Sequence, residues 1–330
     1  MPSYKTNGDS MRPRFTFPPT FYVEDIPSFV AGNSYALSFG AQWLRHAKTQ
    51  LDSHTGSDIT KVRLKRMFGP LFSELRGKLI LEAGCGAGRF TEILLEGKAI
   101  VDSFDISEAV LANSRNNGHD PLLRILRASI DNIPFEPEQF DIVFCPGVVQ
   151  HTPKPAVSII KLWEQVKPGG WLIFDQYRYN ASSALRSGNL IRPILKHLRP
   201  DIAFKVTDAL VDFWLPFHKT VKNHRFLEIL LFRISPITSH YSGYPEFSES
   251  MQISWAKLNT HDNLTDFHKH HTTLKRLMKL LIQLKAMNQQ YCVMPYTIEV
   301  RCQKPIGPEQ SFSAKEISIT DFRNTGIASG

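Results

Sequence analysis

The stretch from residue 79 to residue 105 constrains this chain more than any other. Leu79-Ile80-Leu81-Glu82-Ala83 is an apolar run too short for a helix and ending in an acid. Gly84-Cys85-Gly86-Ala87-Gly88 follows, and Phe90, Leu94 and Leu95 then recur on one side of a helical pattern. The order is strand, tight loop, helix. Glycines at alternate positions leave a loop almost without side-chain bulk, able to turn with positive φ and to let a ligand lie on its backbone. A helix opening at such a loop presents unpaired N–H groups and the positive end of its dipole, which favour a carboxylate or phosphate. A second short strand, Ala99 to Phe104, delivers Asp105 at its end, where a carboxylate can accept both hydroxyls of a ribose. Together these parts describe a nucleoside site on an open parallel sheet.

Glycine spacing narrows the choice of nucleoside. Dinucleotide loops read G-x-G-x-x-G, whereas here Arg89 stands where the third glycine would fall, which disfavours a pyrophosphate cofactor. Acid-x-Gly-x-Gly-x-Gly from Glu82 to Gly88, with Asp105 ending the next strand, resembles motifs I and II of the class I S-adenosylmethionine-dependent methyltransferases. The resemblance implies S-adenosyl-L-methionine as donor and S-adenosyl-L-homocysteine as product. It implies an α/β fold with a doubly wound, seven-stranded, mostly parallel Rossmann-like sheet. Cofactor contacts are implied from Glu82, Gly84, Cys85, Gly86 and Gly88, and from Asp105 with Ile106 beside it.

The strand-and-helix alternation continues as that fold requires. Leu122 to Ala128 reads as a third strand and Phe140 to Cys145 as a fourth. A helix spans Pro155 to Val166, and a Lys167-Pro168-Gly169-Gly170 turn leads into a strand from Trp171 to Asp175. Alternation stops between Tyr177 and His271, where amphipathic helical patterns run over 191–198, 206–217 and 225–234; so long an excursion reads as a lid or insertion. It resumes with a helix from Thr272 to Met287 and a β-hairpin from Gln290 to Lys304. The expected organisation is a flexible arm at 1–20, a helical cap at 21–76, the core at 77–178, a helical lid at 179–271, the closing helix and hairpin at 272–304, and a flexible tail at 305–330.

Three further segments fall where the resemblance asks for them. Ala128-Ser129-Ile130-Asp131 follows the third strand, with Ser129 where the superfamily often has an acid for the adenine amino group; its hydroxyl and the amide of Ile130 are the implied contacts. Cys145 ends the fourth strand with its backbone toward the cofactor, and Pro146-Gly147-Val148-Val149-Gln150-His151-Thr152-Pro153 leaves the carboxyl end, where ligands of such sheets bind. His151 is the first candidate for a general base toward a hydroxyl acceptor, the alternative being that it only orients the loop or the acceptor. Upstream, Gln42-Trp43 and Gln50-Leu51-Asp52 resemble a bacterial small-molecule subgroup, which implies Trp43 as a cofactor contact; core packing is the competing reading. Trp255 to Asp262 resembles a lid segment of the same subgroup. His261 and Asp262 are catalytic candidates there, against a reading of the segment as a surface loop.

Composition bounds the rest. Pro2 to Pro19 is polar, and no apolar run reaches membrane-spanning length, so a soluble, cytoplasmic protein is expected, with peripheral membrane contact left open for the helix from Lys222 to Arg233. Four cysteines, Cys85, Cys145, Cys292 and Cys302, form no C-x-x-C pair, which predicts reduced thiols. The formal net charge of +8 is spread over many segments. Cys145-Pro146-Gly147-Val148 differs from the loop of base-amino methyltransferases, which speaks against nucleic acid as substrate. His261, His268, His270 and His271 lack a metal-binding spacing, so no metal is expected. The function expected is methyl transfer to a small-molecule acceptor, at a sugar or natural-product hydroxyl. A dinucleotide-dependent oxidoreductase and a catalytically silent cofactor-binding scaffold are the alternatives. Oligomeric state is not readable from the sequence.

Overall fold

The computed structural model describes residues 12–30, 37–180, 186–307 and 320–321. The chain divides into two compact units, one of Met1–Gly32, Asp58–Tyr179 and His268–Gly330, the other of Asn33–Ser57 and Asn180–Phe267.

The first unit contains the sheet. Among the described residues its strands are β1 (Phe21–Val23), β2 (Ile26–Ser28), β3 (Leu79–Ala83), β4 (Ile100–Asp105), β5 (Leu123–Arg127), β6 (Phe140–Cys145), β7 (Val166–Tyr177), β8 (Met287–Val293), β9 (Thr297–Gln303) and β10 (Thr320–Asp321), in the spatial order β1-β2-β5-β4-β3-β6-β7-β9-β8-β10. Strands β3 to β7 are mutually parallel, and β9 runs antiparallel to both β7 and β8. The seven strands from β5 to β8 are the doubly wound sheet that the alternation predicts. The chain moves outward from β3 through β4 to β5, then returns to the other side of β3 for β6, so the strand order reverses between β3 and β6.

Burial on both faces explains the apolar strands. Leu79, Leu81 and Ala83 enter one core cluster with Ile159 and Leu162 of helix α6 (Pro155–Gln165), while Ile80 enters the other with Phe90, Ile93 and Leu94 of α4 (Arg89–Glu96). Between them in sequence, α5 (Ala109–Asn117) joins β4 to β5. The helix α3 (Ile59–Phe68), expected in the cap, buries Leu64, Met67 and Phe68 in that second cluster.

The amino-terminal region departs from expectation. Within the span 21–76, read as a helical cap, β1 and β2 pair antiparallel and Ser28 registers with Arg127 on the edge of β5. Of the arm expected at 1–20, residues 1–11 lie outside the described residues, whereas Arg12 is buried. Its guanidinium donates to the Val101 carbonyl at 2.9 Å and to Asp102 Oδ1 at 2.5 Å. Arg124 holds the other Asp102 oxygen at 2.6 Å. A fully buried carboxylate inside a strand requires such partners, and one of them comes from ninety residues upstream. Of the expected tail, 305–307 and the β10 strand, which pairs parallel with β8, are described; the remainder lies outside the described residues.

The second unit is helical: α1 (Leu37–Arg45), α2 (Asp52–Thr55), α7 (Gly188–Leu195), α8 (Pro200–Val221), α9 (Arg225–Ile234) and α10 (Glu249–Thr265), around a small core of Val211, Leu215, Ile237, Tyr241 and Ala256. Trp255 to Asp262 lies inside α10, which corrects the surface-loop reading. Its periodicity is masked because buried polar groups, Thr260 and His261 among them, occupy the inward face. The last described helix, α11 (Leu274–Gln283), returns to the first unit, where Leu277 and Leu281 join the sheet's core. No described helix is long and apolar enough to cross a membrane.

Candidate functional site

The site is built at the reversal of strand order. Gly84, Gly86 and Gly88 have φ of 81°, 53° and 88°, all in the region that side chains avoid. A Cβ on Gly84 would sit 2.2 Å from the Val148 side chain, and one on Gly88 would sit 2.1 Å from Asn113 Oδ1. Neighbouring protein atoms therefore demand glycine at these two positions, independently of any ligand. The contact with Val148 also seats the loop after β3 against the loop after β6.

The amides of the glycine loop are largely engaged within the protein. Those of Gly84 and Cys85 donate to the Phe104 carbonyl at 2.7 and 3.0 Å, that of Gly88 to Cys85 at 2.9 Å, and that of Gly86 to Asp105 Oδ2 at 3.1 Å. A phosphate cradle needs free amides, so this loop is poorly suited to a pyrophosphate.

Beneath the loop lies a buried polar network. Glu82 is fully buried, and its Oε2 accepts from Thr91 at 2.5 Å and from Ser103 at 3.1 Å, while Oε1 is buried with no hydrogen-bond partner among the described residues. Asn113 donates to both hydroxyls at 3.1 Å, and Asn117 donates to the Gly88 carbonyl at 3.0 Å and to Asn113 at 2.9 Å. Burial pushes the Glu82 carboxyl up to about 7, against the two hydroxyl donors that pull it down. Asn113 and Asn117, which the sequence reading missed, fix the loop's far end. Their signal was a pair of asparagines four apart on α5.

At the end of β4, Asp105 accepts from the Ser107 amide at 2.9 Å and its hydroxyl at 2.7 Å through Oδ1, and from Gly86 through Oδ2. Burial raises its pKa, opposed by these donors. Three of a carboxylate's roughly four acceptor positions are thus engaged. A ribose would share Oδ2 with the Gly86 amide, a narrower contact than one to both hydroxyls. Ile106 offers its carbonyl to Arg127 at 3.1 Å. Ser129 closes a tight turn after β5: its hydroxyl accepts from the Asp131 amide at 3.2 Å and its carbonyl from Asn132 at 3.0 Å, with Ile130 buried.

Across the reversal, Cys145 is buried and burial raises its thiol well above the ordinary range, as it does for Cys85. Neither is poised as a nucleophile. All four cysteines are free. The Gly147 amide donates to Asp175, whose other oxygen pairs with Arg63 at 2.7 Å; Arg63 and Arg66 also meet Glu299. Asp175 and Arg63 were likewise missed, although an acid within the apolar run Trp171 to Phe174 and its continuation was a signal.

His151 closes a 3₁₀ turn from Val149, its amide donating to the Val148 carbonyl at 2.8 Å. The buried ring packs edge-on against Tyr177, with centroids 5.3 Å apart, and Nδ1 lies 3.2 Å from the His268 carbonyl. A carbonyl only accepts, so this contact places a proton on Nδ1.

Residues 81–174, spanning β3 to β7, match the family model described as a methyltransferase domain. The matched stretch is 94 of the chain's 330 residues and holds the glycine turn, Asp105 and His151. Ubiquinone biosynthesis O-methyltransferase of Hydrogenovibrio crunogenus is 33% identical over 117 residues, 34% of this chain and 48% of that relative. The protein of the same name from Neisseria meningitidis serogroup C is 34% identical over 134 residues, 39% of this chain and 55% of the relative. This chain spans about half the length of the curated relatives it matches. Among solved structures, human N-acetylserotonin methyltransferase is 12% identical, with a TM-score of 0.44, over 82% of this chain and 57% of that one.

The matched region holds the glycine loop, Asp105, Ser129 and His151, all within one unit. Trp43, His261 and Asp262 belong to the other. Trp43 lies half-buried on α1. His261 is buried within its own unit, with Nδ1 3.1 Å from Thr207 Oγ1, Nε2 3.3 Å from Ser38 Oγ and the ring stacked on Phe204 at 3.9 Å. Burial lowers its pKa to about 3. So weak a base, enclosed on both nitrogens, is packed as a neutral core histidine rather than as a proton acceptor. Asp262 is half-exposed on the same helix, its carbonyl taking the Asp266 amide at 3.2 Å.

Proposed function

We propose that this protein transfers a methyl group from S-adenosyl-L-methionine to a hydroxyl of a small-molecule acceptor. The observation that carries the reading is the joint between the Gly86 amide and Asp105 Oδ2 at 3.1 Å, which holds a glycine turn and a strand-end acid together at the reversal of strand order. The residues present fit the donor: Gly84 to Gly88 form its bed, Asp105 Oδ2 is the ribose acceptor, and Ser129 and Ile130 flank the base. When bound, the donor supplies an electrophilic methyl on a sulfonium whose departure leaves a neutral thioether.

The chain's own task is then alignment and proton removal. His151 takes the acceptor's hydroxyl proton at Nε2, while the Nδ1 contact to His268 and the Tyr177 edge hold the ring's orientation. The Gly147–Asp175–Arg63 chain fixes the loop on which His151 stands. The relatives are named for ubiquinone biosynthesis O-methylation, which makes precursors of that kind the first acceptors to assay, ahead of the sugar and natural-product hydroxyls expected from the sequence.

Two measurements test the reading. Calorimetry should register S-adenosyl-L-homocysteine and no NADH; the reverse would favour the oxidoreductase. Labelled methyl donor incubated with the acceptor panel should yield a labelled, acid-stable ether. Donor binding with no transfer to any acceptor would leave the scaffold reading in place.

A further inference from the structure

Helix α9 is turned inside out. Its sequence, Arg-Phe-Leu-Glu-Ile-Leu-Leu-Phe-Arg-Ile, buries only Leu231, while Phe226 is 79% exposed and Ile229, Leu230 and Ile234 are 50%, 50% and 53% exposed. These four fall at i, i+3, i+4 and i+8, a single stripe along the helix, with Leu227 on its flank. An apolar stripe of this kind normally faces a core; here it faces outward. Helix α7 carries exposed apolar residues as well. The Ser187 amide, just before α7, donates to the Arg233 carbonyl at 3.0 Å, and Leu190 and Ile194 are 79% and 68% exposed. Exposed Arg225 and Arg233 stand at the two ends of the stripe and exposed Lys222 precedes it. The one acid of the helix, Glu228, is turned back to the Ser242 hydroxyl.

We infer that the α9 stripe docks this protein on an anionic phospholipid surface, with Phe226, Leu230 and their neighbours entering the headgroup boundary and Arg225, Arg233 and Lys222 meeting lipid phosphates. The charge arrangement selects this occupant. A second copy brought to the same patch about a two-fold axis would face an equal set of cations, which repel. A lipid surface carrying negative charge complements them and accepts a convex apolar stripe without needing a groove. The inference is independent of the methyl-transfer reading.

Flotation of the full chain with phosphatidylcholine–phosphatidylglycerol vesicles, roughly 7:3, tests it. Protein should float with these vesicles and at least tenfold less with phosphatidylcholine alone, and added salt should weaken the association. The double substitution Phe226→Asp and Leu230→Asp should lower binding at least tenfold while leaving the melting temperature unchanged, because both side chains are exposed. Arg225→Gln with Arg233→Gln should weaken binding to the anionic vesicles while sparing the weak binding to neutral ones. The inference is overturned if the folded chain does not float, if the Asp substitutions leave flotation intact, or if light scattering shows a dimer that those substitutions dissociate.

Discussion

The carboxyls and imidazoles whose pKa values burial shifts divide between the two units. In the sheet unit these are carboxyls: burial pushes Glu82 up to about 7 and raises Asp105 and Asp175. In the helical unit they are imidazoles: burial lowers His261 to about 3, and His218 and His240 to about 4. The difference lies in how the groups are held. Glu82 and Asp105 are gripped by hydroxyls and amides of a loop that must keep one shape, whereas the histidines sit among aromatic rings with neutral hydroxyl or amide contacts, such as His218 to Ser235 at 2.9 Å. Carboxyls retained at such a desolvation cost mark a built site. Neutral histidines enclosed on both ring nitrogens, as His261 is, mark packing.

Four experiments break or sharpen that contrast. The largest effect should come from Gly88→Ala, which forces a side chain to φ of 88° and onto Asn113; a loss of about 3 kcal/mol is expected in denaturant unfolding, and an unchanged midpoint would mean the loop is not rigid. Next, His151→Ala should cut turnover about a hundredfold, or roughly 2.7 kcal/mol, with donor affinity retained. His261→Asn should leave turnover within a few-fold; if the two variants behave alike, the division into site and packing fails.

Asp105→Ala should weaken S-adenosyl-L-homocysteine binding at least tenfold, about 1.4 kcal/mol, read by calorimetry. Because Gly86 and Ser107 also lose their acceptor, part of that loss should appear as a lower melting temperature without ligand.

The last contrast is in pH dependence, and its sign differs between the units. For His261, with an unfolded value of 6.5 and a folded value of about 3, the unfolded chain binds the extra proton between those limits, so stability falls as pH drops from 6.5. For Glu82, with an unfolded value of 4.5 and a folded value of about 7, the folded chain binds the extra proton, so stability falls as pH rises from 4.5 toward 7. Thermal melts of His261→Asn and Glu82→Gln across pH 4.5 to 7 should therefore flatten the pH dependence in opposite directions. Matching slopes would overturn the assignment of burial as the cause.

How far the sequence could be read followed the range of the interactions. Strand, glycine turn, helix and strand-end acid from Leu79 to Asp105 were legible because each depends on neighbours a few residues away: apolar spacing, positive φ, a turn closing on Ser107. Helix α9 was legible to the residue for the same reason, yet which of its faces met solvent was not. Arg12 reads as part of a polar arm until Asp102, ninety residues away, supplies its partner. Arg63 and Asp175 likewise become one element only when α3 packs beside β7.

By itself the sequence determined the doubly wound sheet and the position of its glycine turn, since hydrophobic period and backbone conformational preference act locally. Only the tertiary structure decided which polar atoms that turn would spend on the protein itself, that His151 would turn Nδ1 to the His268 carbonyl, and that His261 would be sealed in a core. Those outcomes depend on desolvation and on hydrogen-bond partners brought from distant parts of the chain, and neither is written in any local stretch of residues.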